Sequence, residues 1–175
     1  MKIKTERLLL CPLGTEHLES THEYASDIEN TKYMLFLPNE TIEETREFLI
    51  DCEQEWKKEK PFYYEFALLK DGVHIGAVGI YMNEEYDTAE LGWIINPKYH
   101  NCGYTTEAAV AIMDFAEKEL GIRHFIAHCD SENYASQGVM RKLGLEKVSV
   151  SGGRKNKSSD EERQECLYEL WRDND

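Results

Sequence analysis

One stretch, Asn96 to Leu120 (N-P-K-Y-H-N-C-G-Y-T-T-E-A-A-V-A-I-M-D-F-A-E-K-E-L), constrains the fold of this chain most. Just before it, Ala89, Leu91, Trp93 and Ile95 alternate with Glu90, Gly92 and Ile94, the pattern of a half-buried strand. Pro97 breaks that strand, because it has no N–H for a ladder. A short polar loop with one glycine, Gly103, follows. Then Ala109, Ile112, Met113, Ala116 and Leu120 recur at helical spacing, and Gly121 stops them, so a helix is predicted from Thr106 to Leu120. Such a turn leaves backbone N–H groups free at a helix N-terminus, where the dipole favours an anion. His100-Asn101-Cys102-Gly103-Tyr104-Thr105 lies where a pyrophosphate would be held. The loop is not G-x-x-x-x-G-K-[ST], which excludes a P-loop, nor G-x-G-x-x-G, so a dinucleotide fold has no support. Plain connections also look like this, so the loop alone leaves both readings open.

The rest of the chain sets the fold class. Ile3 to Cys11 reads as a strand and Thr15 to Asp27 as a helix. Thr41-Ile42-Glu43-Glu44 is a capping box opening a helix with the stripe Ile42, Leu49, Cys52 and Trp56. Tyr63 to Lys70 and Val73 to Met82 read as strands joined at Asp71-Gly72, a strong hairpin signal, and Thr88 to Ile95 adds a third. After the long helix come a strand (His124 to Cys129), a helix (Ala135 to Leu143) closed by Gly144, a strand (Leu145 to Ser151), a polar loop and a last strand (Glu165 to Trp171). This order is expected to give an α/β (mixed α+β) fold: one mixed, mostly antiparallel sheet of six to seven strands flanked by about four helices. At 175 residues, with no repeat or linker, the chain reads as a single domain, 1–175.

Composition excludes several classes. The net charge of −14 opposes phosphate-backbone binding, so no nucleic-acid partner is expected. It suits a cationic substrate such as an amine, although solubility alone explains most surface charge. No apolar run is long enough to span a bilayer, so no membrane partner is expected. The first residues, Met1-Lys2-Ile3-Lys4, lack the apolar stretch of a signal peptide. Five cysteines without paired spacing argue for a reducing compartment, and a cytoplasmic location is expected. With no C-x-x-C or H-E-x-x-H, no metal is expected.

A second segment, His128-Cys129-Asp130-Ser131-Glu132-Asn133-Tyr134-Ala135-Ser136-Gln137-Gly138-Val139-Met140-Arg141-Lys142-Leu143-Gly144, adds a polar turn between a strand and a helix. Gly103-Tyr104-Thr105-Thr106-Glu107-Ala108, Asn133-x-x-Ser136 and Lys142-Leu143-Gly144 together resemble the GNAT superfamily of N-acetyltransferases. Thr5-Glu6-Arg7-Leu8-Leu9-Leu10 and Ala89-Glu90-Leu91-Gly92-Trp93 resemble its ribosomal-protein N-terminal acetyltransferase (RimJ/RimL-like) branch. The likeness runs over residues 3 to 171. It implies that the fourth and fifth strands of this count splay apart and that acetyl-CoA, a co-substrate, inserts between them. On that basis Ile94, Ile95, Asn96, His100, Asn101, Cys102, Gly103, Tyr104, Thr105, Thr106, Asn133 and Ser136 are expected to bind it. A homodimer is a further possibility the resemblance brings, and the acceptor is expected to be an amine.

Acetyl transfer to an amine needs a grip on CoA, a neutral amine and a proton for the departing thiolate. An α-amine with pKa near ~7.8 is roughly a tenth neutral at pH 7, whereas a polyamine nitrogen near ~10.4 is under roughly 0.1%, a handicap of about 4–5 kcal/mol. Glu90 is the candidate base. It is a carboxylate among apolar strand residues, where burial would raise its pKa. Read from the residues alone it is more readily a glutamate on a solvent face; the resemblance reverses that and turns it toward the acceptor cleft. Asn133 and Ser136 at i, i+3 fit plain helix capping; the resemblance gives Asn133 the pantetheine arm and Ser136 the proton for the thiolate. The tyrosine many relatives carry four residues past that serine is Met140 here. His100 is either a phosphate donor or a surface histidine, and Thr105 crowds the loop where relatives have Gly or Ala. Tyr33, Phe36, Tyr63, Tyr64, Tyr81 and Trp93 are pocket candidates or core. Cys102 and Cys129 lack a base partner, which leaves little for a nucleophile reading. A non-catalytic acyl-CoA-binding module is the alternative.

Overall fold

Asp71 and Gly72 both adopt positive φ, 51° and 81°, the geometry of a two-residue hairpin turn. In the computed structural model, which describes residues 1–173, this turn joins β3 (Tyr63–Lys70) to β4 (Val73–Met82). A second reversal adds β5 (Thr88–Ile95), and all three pair antiparallel. At the N-terminal end the run read as one strand is a hairpin, β1 (Ile3–Lys4) and β2 (Leu9–Pro12). Its turn is fixed locally: Thr5 N donates to Leu8 O at 2.9 Å and Leu8 N to Thr5 Oγ1 at 3.0 Å.

Three helices follow β2: α1 (Leu18–Ala25) behind a 3₁₀ turn at Thr15–His17, the short α2 (Ile28–Thr31) and α3 (Ile42–Trp56). The first helix stops at Ala25, two residues short of the expected end at Asp27, and Asp27 caps the separate α2. The box at α3 forms, with Thr41 Oγ1 accepting from Glu44 N, but the Glu44 carboxylate reaches back to Glu40 N, one residue before the cap. After β5 come α4 (Tyr104–Leu120), β6 (His124–Asp130), α5 (Tyr134–Lys142), β7 (Glu146–Arg154) and β8 (Arg163–Trp171). The hairpin at residues 3–12 and α2 thus bring the described residues to eight strands and five α-helices, in the sheet order β1-β2-β3-β4-β5-β6-β8-β7. Among the described residues no helix is long and apolar enough to cross a membrane.

Register decides which residues meet. Glu65, Gly79 and Gly92 lie side by side across β3, β4 and β5, as do Tyr63, Tyr81 and Glu90. This face is covered by α1 and α3, with Leu13, Leu18, Leu49, Cys52, Ala67 and Ala77 in its core. The opposite face packs Phe66, Val78, Ile80, Ala89 and Leu91 against Ile112, Met113, Phe115 and Ala116 of α4.

The sheet opens at one place. β5 and β6 are its parallel pair, and they match only at Thr88–His124, Ala89–Phe125 and Glu90–Ile126. Beyond Glu90, β5 stays with β4 as far as Ile95, while β6 stays with β8 as far as Asp130. The result is a wedge whose floor is Glu90.

Candidate active site

A cavity of about 200 Å³ occupies the wedge. β5 contributes Glu90 to Trp93, β6 His128 and Cys129, and the turn into α5 Asn133 and Ser136; Tyr81, Arg154 and Tyr33 to Phe36 complete it. Successive strand residues point to opposite faces. Glu90 and His128 therefore belong to the α1–α3 side, and Leu91, Trp93 and Cys129 to the α4 side, so the cavity passes through the sheet. A larger hollow of about 580 Å³, beside Met1, Cys11, His17 and Trp56, is lined by none of the candidate site residues.

Glu90 reaches the cavity, but its side chain is 42% exposed, so the burial expected for it is absent. It has instead a partner the sequence reading missed. His128 Nδ1 lies 2.7 Å from Glu90 Oε1, and His128 Nε2 lies 3.9 Å from Glu165 Oε1. Arg154 Nη1 in turn binds Glu165, and Arg154 Nη2 donates to Tyr33 O at 2.9 Å. The hydrogen bond to Glu90 holds the His128 imidazolium above its ordinary range; burial pulls the other way, Glu165 adds to the rise and Arg154 opposes it. His128 was legible only as a strand residue, because the parity that pairs it with Glu90 depends on the β5–β6 register.

At the other wall, Asn133 caps α5 by accepting from Ser136 N at 3.1 Å. Ser136 Oγ accepts from Trp93 Nε1 at 3.2 Å. The serine's own proton is therefore not spent on the indole and is free to be donated into the cavity. Met140 is 1% exposed and belongs to the core. Tyr134 is 73% exposed and does not line the cavity. Among the aromatic candidates Tyr33, Phe36, Tyr81 and Trp93 line the cavity, Tyr64 is core, and Tyr63 stacks on Tyr81.

The loop before α4 has the form its composition suggests. A 3₁₀ turn at Pro97–Tyr99, capped by the Asn96 side chain, leads to His100. Asn101 and Gly103 then take φ of 59° and 80°, and Gly103 is the N-cap of α4. The helix begins at Tyr104, so Thr105 falls in its first turn. Its first hydrogen bond runs from Glu107 N to Gly103 O, at 3.1 Å. The amides of Tyr104, Thr105 and Thr106 precede that bond and have no helical acceptor. His100 takes a third course: its Nε2 bonds Ile95 O at 3.1 Å, fastening the loop to β5. Ile94, Ile95 and the buried Asn96 end β5 along the open side of the wedge.

An unforeseen clamp holds this loop. Glu107 accepts from Thr5 Oγ1 at 2.5 Å, Arg7 N at 2.8 Å and Arg7 Nε at 2.7 Å. Burial alone would raise the Glu107 carboxyl, but these bonds outweigh it and hold the group below the usual carboxylate range. Arg7 Nη1 also donates to Cys102 O at 2.9 Å, and its guanidinium sits 4.6 Å from the centre of the Tyr104 ring.

The chain matches the family model described as acetyltransferase (GNAT) domain over residues 7–146. It is 33% identical over 146 residues to the uncharacterized N-acetyltransferase YnaD of Bacillus subtilis, covering 83% of this chain and 82% of that protein. Among solved structures it is similar to a GNAT-family acetyltransferase from Bacillus anthracis, with 31% identity, TM-score 0.82 and 98% of each chain covered. It also shares its fold with RimL, the ribosomal L7/L12 α-N-protein acetyltransferase, in complex with coenzyme A, at 17% identity, TM-score 0.82 and full coverage of both chains (100%).

Proposed function

The chain belongs to the GNAT acetyltransferase family, and from that premise we propose that it transfers the acetyl group of acetyl-CoA directly to a primary amine. The acceptor is a protein N-terminus, a polyamine or another amine metabolite. One observation carries this reading: a carboxylate–imidazole pair and a serine hydroxyl face a single cavity that crosses the sheet at its wedge, and β5, which lines that cavity, leads through a short loop into a helix N-terminus with free amides.

Each residue then has a task. The backbone amides of the Asn101–Thr106 loop bind pyrophosphate, helped by the dipole of α4. The open edge of Ile94, Ile95 and Asn96 and the side chain of Asn133 hold the pantetheine arm. The amine enters from the α1–α3 side, past Tyr33, Phe36 and Tyr81, and meets the thioester across Glu90. Nitrogen attacks the carbonyl carbon, the carbon–sulfur bond breaks with its electron pair on sulfur, and the amine gives up one proton. Glu90 and His128 receive that proton, and Ser136 supplies one to the thiolate. A thiolate with pKa near ~8.5 leaves fairly easily at pH 7, so the serine's part is modest.

Two variants test the cofactor site. Gly103 has φ of 80°, where Asn and Asp are tolerated about equally, so they differ mainly in charge. Calorimetry is expected to show Gly103→Asp binding acetyl-CoA at least tenfold more weakly than Gly103→Asn, about 1.4 kcal/mol. Equal affinities would move the pyrophosphate elsewhere. CoA release is then measured with polyamines, aminoglycosides and Ala-, Ser- or Met-initiated peptides. Binding without release on any of them points to an acyl-CoA-binding module instead.

A further inference from the structure

We propose that His128 is the group that takes the proton from the acceptor amine, and that Glu90 is its positioning residue. This rests on the acetyl-transfer reading above and deepens it. A Glu90 carboxylate oxygen can only accept a hydrogen bond, and Oε1 lies 2.7 Å from His128 Nδ1. The ring proton is therefore on Nδ1, and Nε2 carries the lone pair. The arrangement matches the carboxylate–imidazole half of a hydrolase triad, where the carboxylate fixes the tautomer and steadies the imidazolium.

The surroundings fit a ring that gains charge. Glu90 faces it from β5 and Glu165 from β8, while Arg154 of β7 is the cation nearby. Glu165 Oε1, an acceptor 3.9 Å from Nε2, leaves the lone pair free and is near enough to favour the charged ring. Arg154, its side chain 9% exposed, pins Glu165 in place. An ordinary imidazole also titrates about two units nearer an amine than an ordinary carboxylate does, so the transfer is uphill by about two orders of magnitude less.

The step balances. As the nitrogen–carbon bond forms, the amine N–H bond breaks and its proton goes to Nε2. The sulfur leaves with the carbon–sulfur pair and is protonated by Ser136 or water. The imidazolium returns its proton to solvent through the mouth of the cavity. Because His128 is held above its ordinary 6.5, its basic form grows in only as pH rises through that higher value. Turnover is thus low in acid, with an acid limb above 6.5.

The test is the pH profile of kcat/KM, calculated on the neutral fraction of the acceptor amine, for wild type, His128→Gln, Glu90→Gln and Glu165→Gln, using the acceptor with the fastest CoA release, beside an NMR titration of the His128 ring. In wild type the limb and the ring should titrate together. Glu90→Gln and Glu165→Gln should each move both to lower pH, Glu90→Gln further. His128→Gln should abolish the limb and lower turnover by roughly 10²–10⁴ with acetyl-CoA affinity unchanged. A His128→Gln enzyme that keeps the limb and loses less than threefold, while Glu90→Gln is crippled, would make Glu90 the base and overturn the proposal. So would ring and limb titrating apart, a result that does not depend on His128→Gln folding. Wild type that acetylates no amine fails the functional reading itself, and is told apart because it is seen before any variant is made.

Discussion

Glu65 is a carboxyl group with almost no water around it. It is 5% exposed, on β3 beside Gly79, and a Cβ at position 79 would lie 2.7 Å from Glu65 Oε1, so the glycine makes its room. The Tyr81 hydroxyl donates to it, which fixes one wall of the cavity from behind. Burial pushes the Glu65 carboxyl from its ordinary 4.5 up to about 8. At neutral pH the folded protein therefore holds a proton here that the unfolded chain has released. A raised folded pKa stabilises fully below about 4.5, and that stability is lost as pH rises toward 8. The swing is on the order of 4–5 kcal/mol. Glu65→Gln removes the titration and keeps the shape. Denaturant unfolding is expected to show wild type losing stability relative to this variant between pH 4.5 and 8, most steeply on a per-unit basis across the middle of that window. Parallel curves would mean that water or a rearrangement lets Glu65 ionise freely.

At the scale of elements, the β1–β2 hairpin acts as a fastener for the N-terminus of α4. Arg7 joins the Glu107 carboxylate to the Cys102 carbonyl and lies over Tyr104, so one side chain ties together the loop and the first helical turn. Arg7→Gln is expected to weaken acetyl-CoA binding roughly three- to tenfold, the scale of one net hydrogen bond, with little change in melting temperature. Unchanged affinity would show that Asn101 and Gly103 shape the loop unaided. Elements with local causes were legible in the sequence. The Asp71-Gly72 turn, the Thr41 cap and the αL stop at Gly121 each act within a few residues. The N-terminal hairpin was not legible, because Glu6-Arg7 carries no Gly, Pro or Asn and its turn relies on a threonine side chain and on Glu107, 100 residues away.

The whole molecule makes its site by leaving a sheet incompletely joined. Two halves, β1 to β5 and β6 with β8 and β7, meet through three residue pairs, and α4 and α5 are the connections between and beyond them. Strand pairing is non-local, so no periodicity announces where it ends. Glu90 and Ser136 were reachable through resemblance, whereas His128, Glu165 and Arg154 become neighbours only once the register is known. A ligand that fills the wedge joins the halves, and it binds the folded chain alone. At a free acetyl-CoA concentration 100 times Kd the folded state gains about 2.7 kcal/mol. For a chain of this size that raises Tm by about 5–10 °C. The rise should come with slower hydrogen exchange concentrated at Leu91–Ile95 and at the first turn of α4, beyond the uniform slowing that global stabilisation brings. Those are the segments whose backbone groups face the wedge and the free helix end. A melting shift without that local protection would mean that acetyl-CoA binds elsewhere on the fold, and the wedge would then be an empty seam between two halves of a sheet.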